Sequence, residues 1–463
     1  MQRNFITGFL SLTGILLLYV YGMNIFHLAS HNLNTDLMLT YLSGKMLNAN
    51  TPGYQFSSAY LSAHHEVKTN IIPNLSPPFS IALMAFIAKY LSYKSFFISF
   101  MTTAISINII ALAKLYQNTY LDRGKHYKLT LCAFILACLI YIPTFMNISF
   151  GQVALVLNAI VIFSYLSLKN KQYKRAGFLL ALAINIKVFF GIFLVYFLAK
   201  KQYLAFFSLI IFCLLLALIP LAIYGTSIYI GYWKVLNNIQ WYGVNWNASW
   251  YGFLSRFLGE KSHRFHSMLF FPELSKNIYY FIFFSYIGLI YYISKKNKDS
   301  SLTFSLTLST MLLISPLGWT YYFPILITAF IINFSSLESN RYYVLLTCLL
   351  LFSLFLSALP FPIYRDTKTA TNILMTQGNI FFLALLFFNT VNLLQLFFPA
   401  IKNNAIHILT KKFKLFIICI CLLPSLMGMS CFIYALTKST PQNQSQNRTA
   451  MANSSDLLPS NTD

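Results

Sequence analysis

From residue 5 to residue 436 the chain is a succession of apolar runs, each about 16 to 24 residues long, set apart by short polar segments. A hydrocarbon core of roughly 30 Å is crossed by about 20 helical residues, and inside lipid every backbone N–H and C=O must be satisfied within the protein. The repeating length therefore predicts membrane-crossing helices and excludes a water-soluble globule. Only 9% of residues are charged, against about 25% in a typical soluble domain, so too little polar surface exists to cover a protein of this mass. Spans are expected near 5–26, 96–115, 129–146, 153–168, 203–224, 277–294, 301–315, 320–337, 342–360, 380–400 and 415–436.

A net charge of +23 would suggest a nucleic-acid partner in a soluble protein. Here the basic residues stand at the ends of apolar runs, where they orient helices and meet anionic headgroups, so the partner is the membrane and no nucleic acid is implied. Most of the 33 Lys and Arg fall on one face when the N-terminus is placed in the cytoplasm, which fixes the expected orientation. The seven cysteines lie inside apolar runs and read as small core residues, with neither disulfides nor zinc implied. The first run, behind Arg3, is longer than a signal-peptide core and reads as a retained helix. Residues 1–437 form the expected membrane domain, and 438–463 a disordered polar tail whose Asn443, Asn447 and Asn453 sequons are of the kind such a composition yields by chance.

Two segments resist a single-span reading. Residues 176–199 are apolar but carry Lys169, Lys171, Lys174 and Arg175 before them and Lys200 and Lys201 after. One crossing would strand one of these knots on the wrong side. Two half-length helices, 176–186 and 188–199, with Lys187 at the apex, keep both on one side; at 1.5 Å per residue neither leg is long enough to cross. Non-helical backbone at membrane depth must be covered by protein or line a wet cavity, so this geometry predicts a cavity. The second segment, Pro77-Pro78 followed by 79–93, reads as an interfacial or re-entrant helix.

The long first loop (27–75) and the second (225–276) share the outer face, which offers five carboxylates outside the tail: Asp36, Glu66, Glu260, Glu273 and Asp366. Asp36 follows the first helix closely and stands at the water–lipid boundary, either as a general base on a membrane-bound substrate or as a capping aspartate of the Asn-Leu-Asn-Thr-Asp stretch. Glu66 with His64 and His65 reads as solvated loop, not a metal site. Lys187 is an ionisable group at membrane depth, which is costly unless functional; it either holds a lipid-linked phosphate or snorkels to the interface. Arg256 is a phosphate fork or an interfacial anchor. Gly151-Gln152 forms a tight turn whose Gln side chain can bond sugar hydroxyls, and Trp319 of Ser315-Pro316-Leu317-Gly318-Trp319 is a sugar platform or a belt residue.

Taken in order, these stretches resemble family 87 of the GT-C glycosyltransferases, the polyprenyl-phosphate-mannose-dependent mannosyltransferases. The likeness runs through Asp36 to Tyr41, Thr51 to Tyr54, Pro77-Pro78-Phe79, Gly151-Gln152-Val153, Ala183 to Lys187, Asn247-Ala248-Ser249 through Arg256, and Ile314-Ser315-Pro316 through Trp319. Three departures stand out. Val188 follows Lys187 where the family usually has Pro, Ala154 and Leu155 follow the Gly-Gln turn where Asn is usual, and Thr320, Tyr321 and Tyr322 stand where a His is common.

The resemblance implies an all-α, GT-C-like bundle of about 11–13 transmembrane helices with short or re-entrant elements and an outward-facing cavity. It implies an inverting, cofactor-free and metal-free transfer of a hexose, mannose by preference, from a polyprenyl-phosphate donor to a lipid or glycan acceptor outside the plasma membrane. Asp36 would be the catalytic base, and Lys187, Arg256, Gln152, Asn247, Trp319 and Tyr54 would bind substrate. The rival readings are a transporter or flippase of lipid-linked sugars, and a polysaccharide polymerase or ligase. No soluble nucleotide-sugar domain with a Gly-rich phosphate loop is present in the sequence.

Overall fold

The computed structural model describes residues 2–30, 35–54, 74–119, 127–239, 242–259, 267, 269–337, 342–360 and 376–398. Among them the only regular structure is helical. Six segments are long and apolar enough to cross a membrane: Thr7–Ser30, Tyr93–Thr119, Tyr203–Tyr224, Pro272–Lys296, Thr320–Leu337 and Gln377–Phe397. A seventh is added if the bent pair Tyr127–Ile140 and Ile142–Ser149 counts as one span. The expected 129–146 span is thus broken, with a 54° bend at Tyr141. Pro143, which has no N–H to donate, starts the second piece in its first turn. The rest of the expected eleven to thirteen are apolar helices of 10–17 residues, and the run 415–436 lies outside the described residues.

The helices are numbered α1 (Gln2–Ser30), α2 (Asp36–Asn48), α3 (Pro78–Tyr90), α4 (Tyr93–Thr119), α5 (Tyr127–Ile140), α6 (Ile142–Ser149), α7 (Ala154–Lys169) and α8 (Tyr173–Ile186). A 3-10 turn (Val188–Ile192) leads into α9 (Phe193–Ala199), followed by α10 (Tyr203–Tyr224), α11 (Ser227–Asn237), α12 (Trp250–Leu258), α13 (Pro272–Lys296) and α14 (Ser300–Ile314). A second 3-10 turn (Thr320–Ile325) opens α15 (Leu326–Leu337), and α16 (Tyr343–Ser357) and α17 (Gln377–Phe397) complete the bundle.

Position in the bundle follows from side-chain size and polarity. On α10, Leu204, Phe207, Ile211, Leu214, Leu215 and Leu218 form an exposed stripe, as lipid-facing residues do, while Ala205, Ser208 and Leu209 are buried. That small-residue face meets Gly177 of α8 so closely that a Cβ there would stand 2.5 Å from the Ala205 carbonyl oxygen, so the two backbones touch. The segment Thr320–Leu337 is the opposite case. Along its most apolar 18 residues it is 89% buried, against 17% for α10, which makes it the central element.

The buried Ser, Thr and Asn residues of this centre bond across helices. Asn158 of α7 donates to Asn108 of α4 at 2.8 Å and accepts from Thr328 of α15 at 2.9 Å. Asn333 of α15 donates to Ser305 of α14 at 2.6 Å and to Asn392 of α17 at 3.0 Å, and it accepts from Gln395 at 3.1 Å. Ser309 and Thr310 of α14 both donate to Asn389 of α17. With hydrocarbon outside, such bonds replace the hydrophobic drive that assembles a soluble core.

The expected hairpin is present. α8 ends at Ile186, Lys187 is extended (φ −147°, ψ 115°), and the 3-10 turn and α9 lead back. At the starting end of α8, the Lys174 carbonyl accepts from Ser208 near the beginning of α10 at 2.8 Å. At the finishing end of α9, Lys200 donates to the Asn297 carbonyl at 2.8 Å and Tyr196 donates to Ser300 at 3.2 Å. Ser301, beside Ser300, accepts from Tyr165 near the end of α7, the helix that leads into α8. Both ends of the hairpin therefore lie on one side of the bundle, and Lys187 at the other extreme of its reach.

Candidate active site

The loop reading of residues 27–75 gives way to a helix where the chain is described. α2 begins at Asp36, is capped by Thr35, whose hydroxyl accepts from the Met38 amide at 3.1 Å, and is buried along most of its length. The Asn- and Asp-rich lead-in looks like turn chemistry, but its Thr is the cap. Asp36 itself does not cap the helix. It stands in the first turn, where the helix dipole favours a carboxylate.

The Gly-Gln turn sets where that carboxylate stands. The Asp36 amide donates to the Phe150 carbonyl and the Leu37 amide to the Gly151 carbonyl, both at 3.2 Å. Gly151 has φ +60°, and a Cβ on it would meet the Thr35 Cβ at 2.6 Å, so glycine is required twice over at this contact. Thr35 is pinned from the other side by the Tyr93 hydroxyl at 2.8 Å. Asn147, with its amide turned so that nitrogen donates to the Gln152 carbonyl at 3.1 Å and oxygen accepts from the Ala154 amide at 3.0 Å, holds the turn onto α7.

Asp36 faces an accessible recess although protein surrounds it. The surrounding protein raises its carboxyl pKa above the ordinary range, while the Lys187 cation and the adjacent Gln152 amide pull it part of the way back. The Gln152 Nε2 is buried, makes no well-directed hydrogen bond among the described residues, and stands beside the Asp36 carboxylate. Lys187 comes in from the hairpin apex, half-buried, with its ammonium 5.7 Å from the ring centre of Tyr322 and within hydrogen-bonding reach of that hydroxyl. Tyr321 and Tyr322 both lie close enough to Asp36 to feel its charge. One carboxylate, one cation, one amide donor and two phenols thus converge where α2, the turn before α7, the hairpin apex and the 3-10 turn before α15 meet.

The other expected residues have different surroundings. Arg256 of α12 is 2% exposed, and its three nitrogens donate at 2.9 Å to Asn379 Oδ1, the Val244 carbonyl and the Asn247 carbonyl. Burial pushes its pKa down to about 9, which still leaves it charged at neutral pH. The Asn247 side chain donates to the Tyr242 and Pro316 carbonyls and accepts from the Ser249 and Gly318 amides, which fills its bonding capacity. Asn247 and Trp319 form an isolated antiparallel bridge, flanked by the Ala248 amide on the Gly318 carbonyl at 2.7 Å and the Thr320 amide on the Trp246 carbonyl at 3.0 Å. Trp319 is half-buried between Trp246 and Tyr321, with ring centres 6.0 and 5.3 Å away. This stapled unit fixes the start of the turn that carries Tyr321 and Tyr322.

Tyr54 is buried, donates to the Ser76 carbonyl at 2.7 Å and packs on Tyr232 of α11 at 5.6 Å between ring centres. Tyr232 interacts electrostatically with Lys187, which places Tyr54 one residue removed from the hairpin apex. Tyr232 gave no signal in the sequence beyond the abundance of tyrosine, Tyr322 stood out only as a departure from the family pattern, and α11 was hidden in what reads as a long loop. Glu66, His64, His65, Glu260 and Asp366 lie outside the described residues. Of the carboxylates within them, Glu273 is exposed in the first turn of α13 and Asp299 caps α14, accepting from Ser301 and Leu302. Asp36 alone among these three faces a cation across an accessible recess.

No curated protein matches the chain. The profile of glycosyltransferase family 87 matches residues 74–316, a stretch that carries Gln152, Lys187, Asn247 and Arg256 and stops short of Trp319. Since the match covers more than half of a multi-pass helical membrane protein, the chain belongs to glycosyltransferase family 87.

Proposed function

We propose that the protein transfers a hexose, mannose by preference, from a polyprenyl-phosphate donor to a lipid or glycan acceptor on the outer face of the plasma membrane, with inversion at the sugar carbon. The observation that carries this reading is Asp36 in an accessible recess, facing Lys187 at the apex of a hairpin. Asp36 takes the proton of the acceptor hydroxyl as that oxygen attacks the anomeric carbon, and the bond to the carrier phosphate breaks on the opposite side. Lys187 stabilises the negative charge that grows on the departing phosphate. The Gln152 amide bonds sugar or acceptor hydroxyls, and Trp319, half-buried beside the turn, offers an apolar edge to a sugar ring.

In this reading Arg256 and Asn247 are positioning residues, since their polar atoms are spent on holding the turn after α14 to α12 and α17. Tyr54 supports Tyr232 from behind. A glycosyltransferase family argues against the flippase alternative, in which no bond is made.

Purified protein given labelled polyprenyl-phosphate hexoses and an acceptor extract tests the reading. Wild type should release label from the carrier, and Asp36→Asn should insert and fold normally yet lose at least about a thousandfold in turnover, in keeping with loss of a general base and its charge. Turnover by Asp36→Asn near the wild-type rate would remove the base.

A further inference from the structure

We infer that Tyr232 of α11 and Tyr322, together with Lys187, form a three-sided cradle for the phosphate of an amphiphilic phosphate ester, and that α11 is its membrane-side wall. The inference rests on the donor class proposed above and adds two residues that bind it.

Lys187 is approached by phenols from two separate elements. Tyr322, from the 3-10 turn before α15, has its ring centre 5.7 Å from the ammonium and its hydroxyl on the near side. It is itself held by its amide bond to the Trp319 carbonyl at 2.9 Å and by edge contact with Phe189 at 5.2 Å. Tyr232, from α11, stands against Tyr54 with ring centres 5.6 Å apart and lies within electrostatic range of the same ammonium. A cation with two phenols in its neighbourhood can neutralise one phosphate charge while each hydroxyl donates to an oxygen of a phosphate seated among them, and neither phenol competes for the proton that Asp36 must take.

α11 gives this cradle its second property. Ile228, Tyr229, Tyr232 and Val235 pack toward Tyr54, Ile81 and Ala85, while Ile230 and Trp233 on the other side are 54% and 65% exposed. The helix follows Gly225, whose φ of +68° turns the chain sharply off the end of α10. A short helix with a polar-aromatic face at a cation and an apolar face outward separates a charged pocket from lipid by the width of one helix. A phosphate carrying a long apolar tail fits both sides; inorganic phosphate fits only one. The α3 end of this wall is tied to the hairpin by Ser80, which donates to the Asn185 carbonyl at 3.1 Å.

The test is equilibrium binding of a long-chain polyprenyl phosphate to the full-length protein in nanodiscs, beside inorganic phosphate as competitor, followed by steady-state kinetics with the sugar-loaded donor. Tyr232→Phe and Tyr322→Phe keep the rings and delete only the hydroxyls. Each should weaken polyprenyl-phosphate binding and raise the donor KM by about tenfold, with kcat at saturating donor and acceptor KM within about twofold. Tyr229→Phe is the control on the same helix: its hydroxyl donates to the Ala217 carbonyl, so melting temperature should fall but donor affinity should not.

Wild-type affinity for both tyrosine variants overturns the cradle and leaves the proposed transfer standing. Equal weakening in Tyr229→Phe also overturns it, because the effect is then one of helix stability. Inorganic phosphate binding as tightly as the lipid form sinks the amphiphilic ligand. Failure of wild type to bind either form removes the proposed donor and the cradle together.

Discussion

The amide of Asp36 donates to the carbonyl of Phe150 at 3.2 Å, so a residue that follows the first helix is seated by a turn more than a hundred positions later. Gly151, next to Phe150, lets the two segments approach this closely through its left-handed backbone. The orientation of the carboxylate is thereby a property of the Gly-Gln turn as much as of α2.

Gly151→Ala follows directly. An added Cβ meets strain at φ +60° and a contact of 2.6 Å with Thr35 Cβ, so Thr35 must move and Asp36 with it. Left-handed alanine alone costs about 1 kcal/mol. Turnover should fall by at least about tenfold while the melting temperature in detergent drops by a few degrees, because a small displacement of a base costs more in rate than in stability. Thermal melting and initial rates on the same preparation check both numbers.

The acid limb of the activity profile reports Asp36. Only the ionised carboxylate can accept a proton, and surrounding protein raises its pKa. Activity should therefore fall on acidification at a pH above the value of about 4 expected of an ordinary aspartate. Lys187 and Gln152 both lower that pKa, so Lys187→Met and Gln152→Leu should each move the acid limb to still higher pH. The measurement is kcat/KM against pH for the three proteins; a limb that moves downward contradicts the assignment.

Arg256 should behave as a structural residue. Removing a buried guanidinium that makes three bonds at 2.9 Å strands the Asn379 oxygen and two carbonyls. Arg256→Ala should cost about 3 kcal/mol of stability. Arg256→Lys should recover little of it, since one ammonium cannot replace the planar fork. Melting temperatures of both variants, with donor KM of the surviving folded fraction unchanged, are the expected outcome.

Some of this architecture could be read from residue order, and some could not, for identifiable reasons. The hairpin was legible because Lys169, Lys171, Lys174 and Arg175 before it and Lys200 and Lys201 after it forbid a single crossing, and Lys187 marks the apex. The N-terminal half of the site was misread as loop because Asn-Leu-Asn-Thr-Asp has turn composition; only tertiary contact with Gly151 shows that Thr35 starts a buried helix. The role of Arg256 was hidden by distance, since Asn379 lies 123 residues further on. The bend at Tyr141 was available in Pro143, but an apolar run of spanning length outweighed one proline. Tyr322 illustrates a different limit: its position was visible as a departure from the family pattern, whereas its proximity to Lys187 was not derivable from spacing.

The polar seam at the centre yields the last prediction. Asn333 donates to Ser305 and Asn392 and accepts from Gln395, so one side chain ties α15 to α14 and α17. Asn333→Leu is close in volume and more apolar, and in a soluble core such a replacement is often tolerated. Here it leaves three buried polar partners short of a bond, in surroundings where lipid offers none. The cost expected for interhelical bonds of this kind is about 0.6 kcal/mol each and up to about 1.7, so the variant should lose about 2 kcal/mol. The Asn333→Leu, Asn392→Leu double variant should lose less than the sum of the singles, because the two residues share one bond. Unfolding in mixed micelles measures all three; additive losses would show that the seam is not a coupled network.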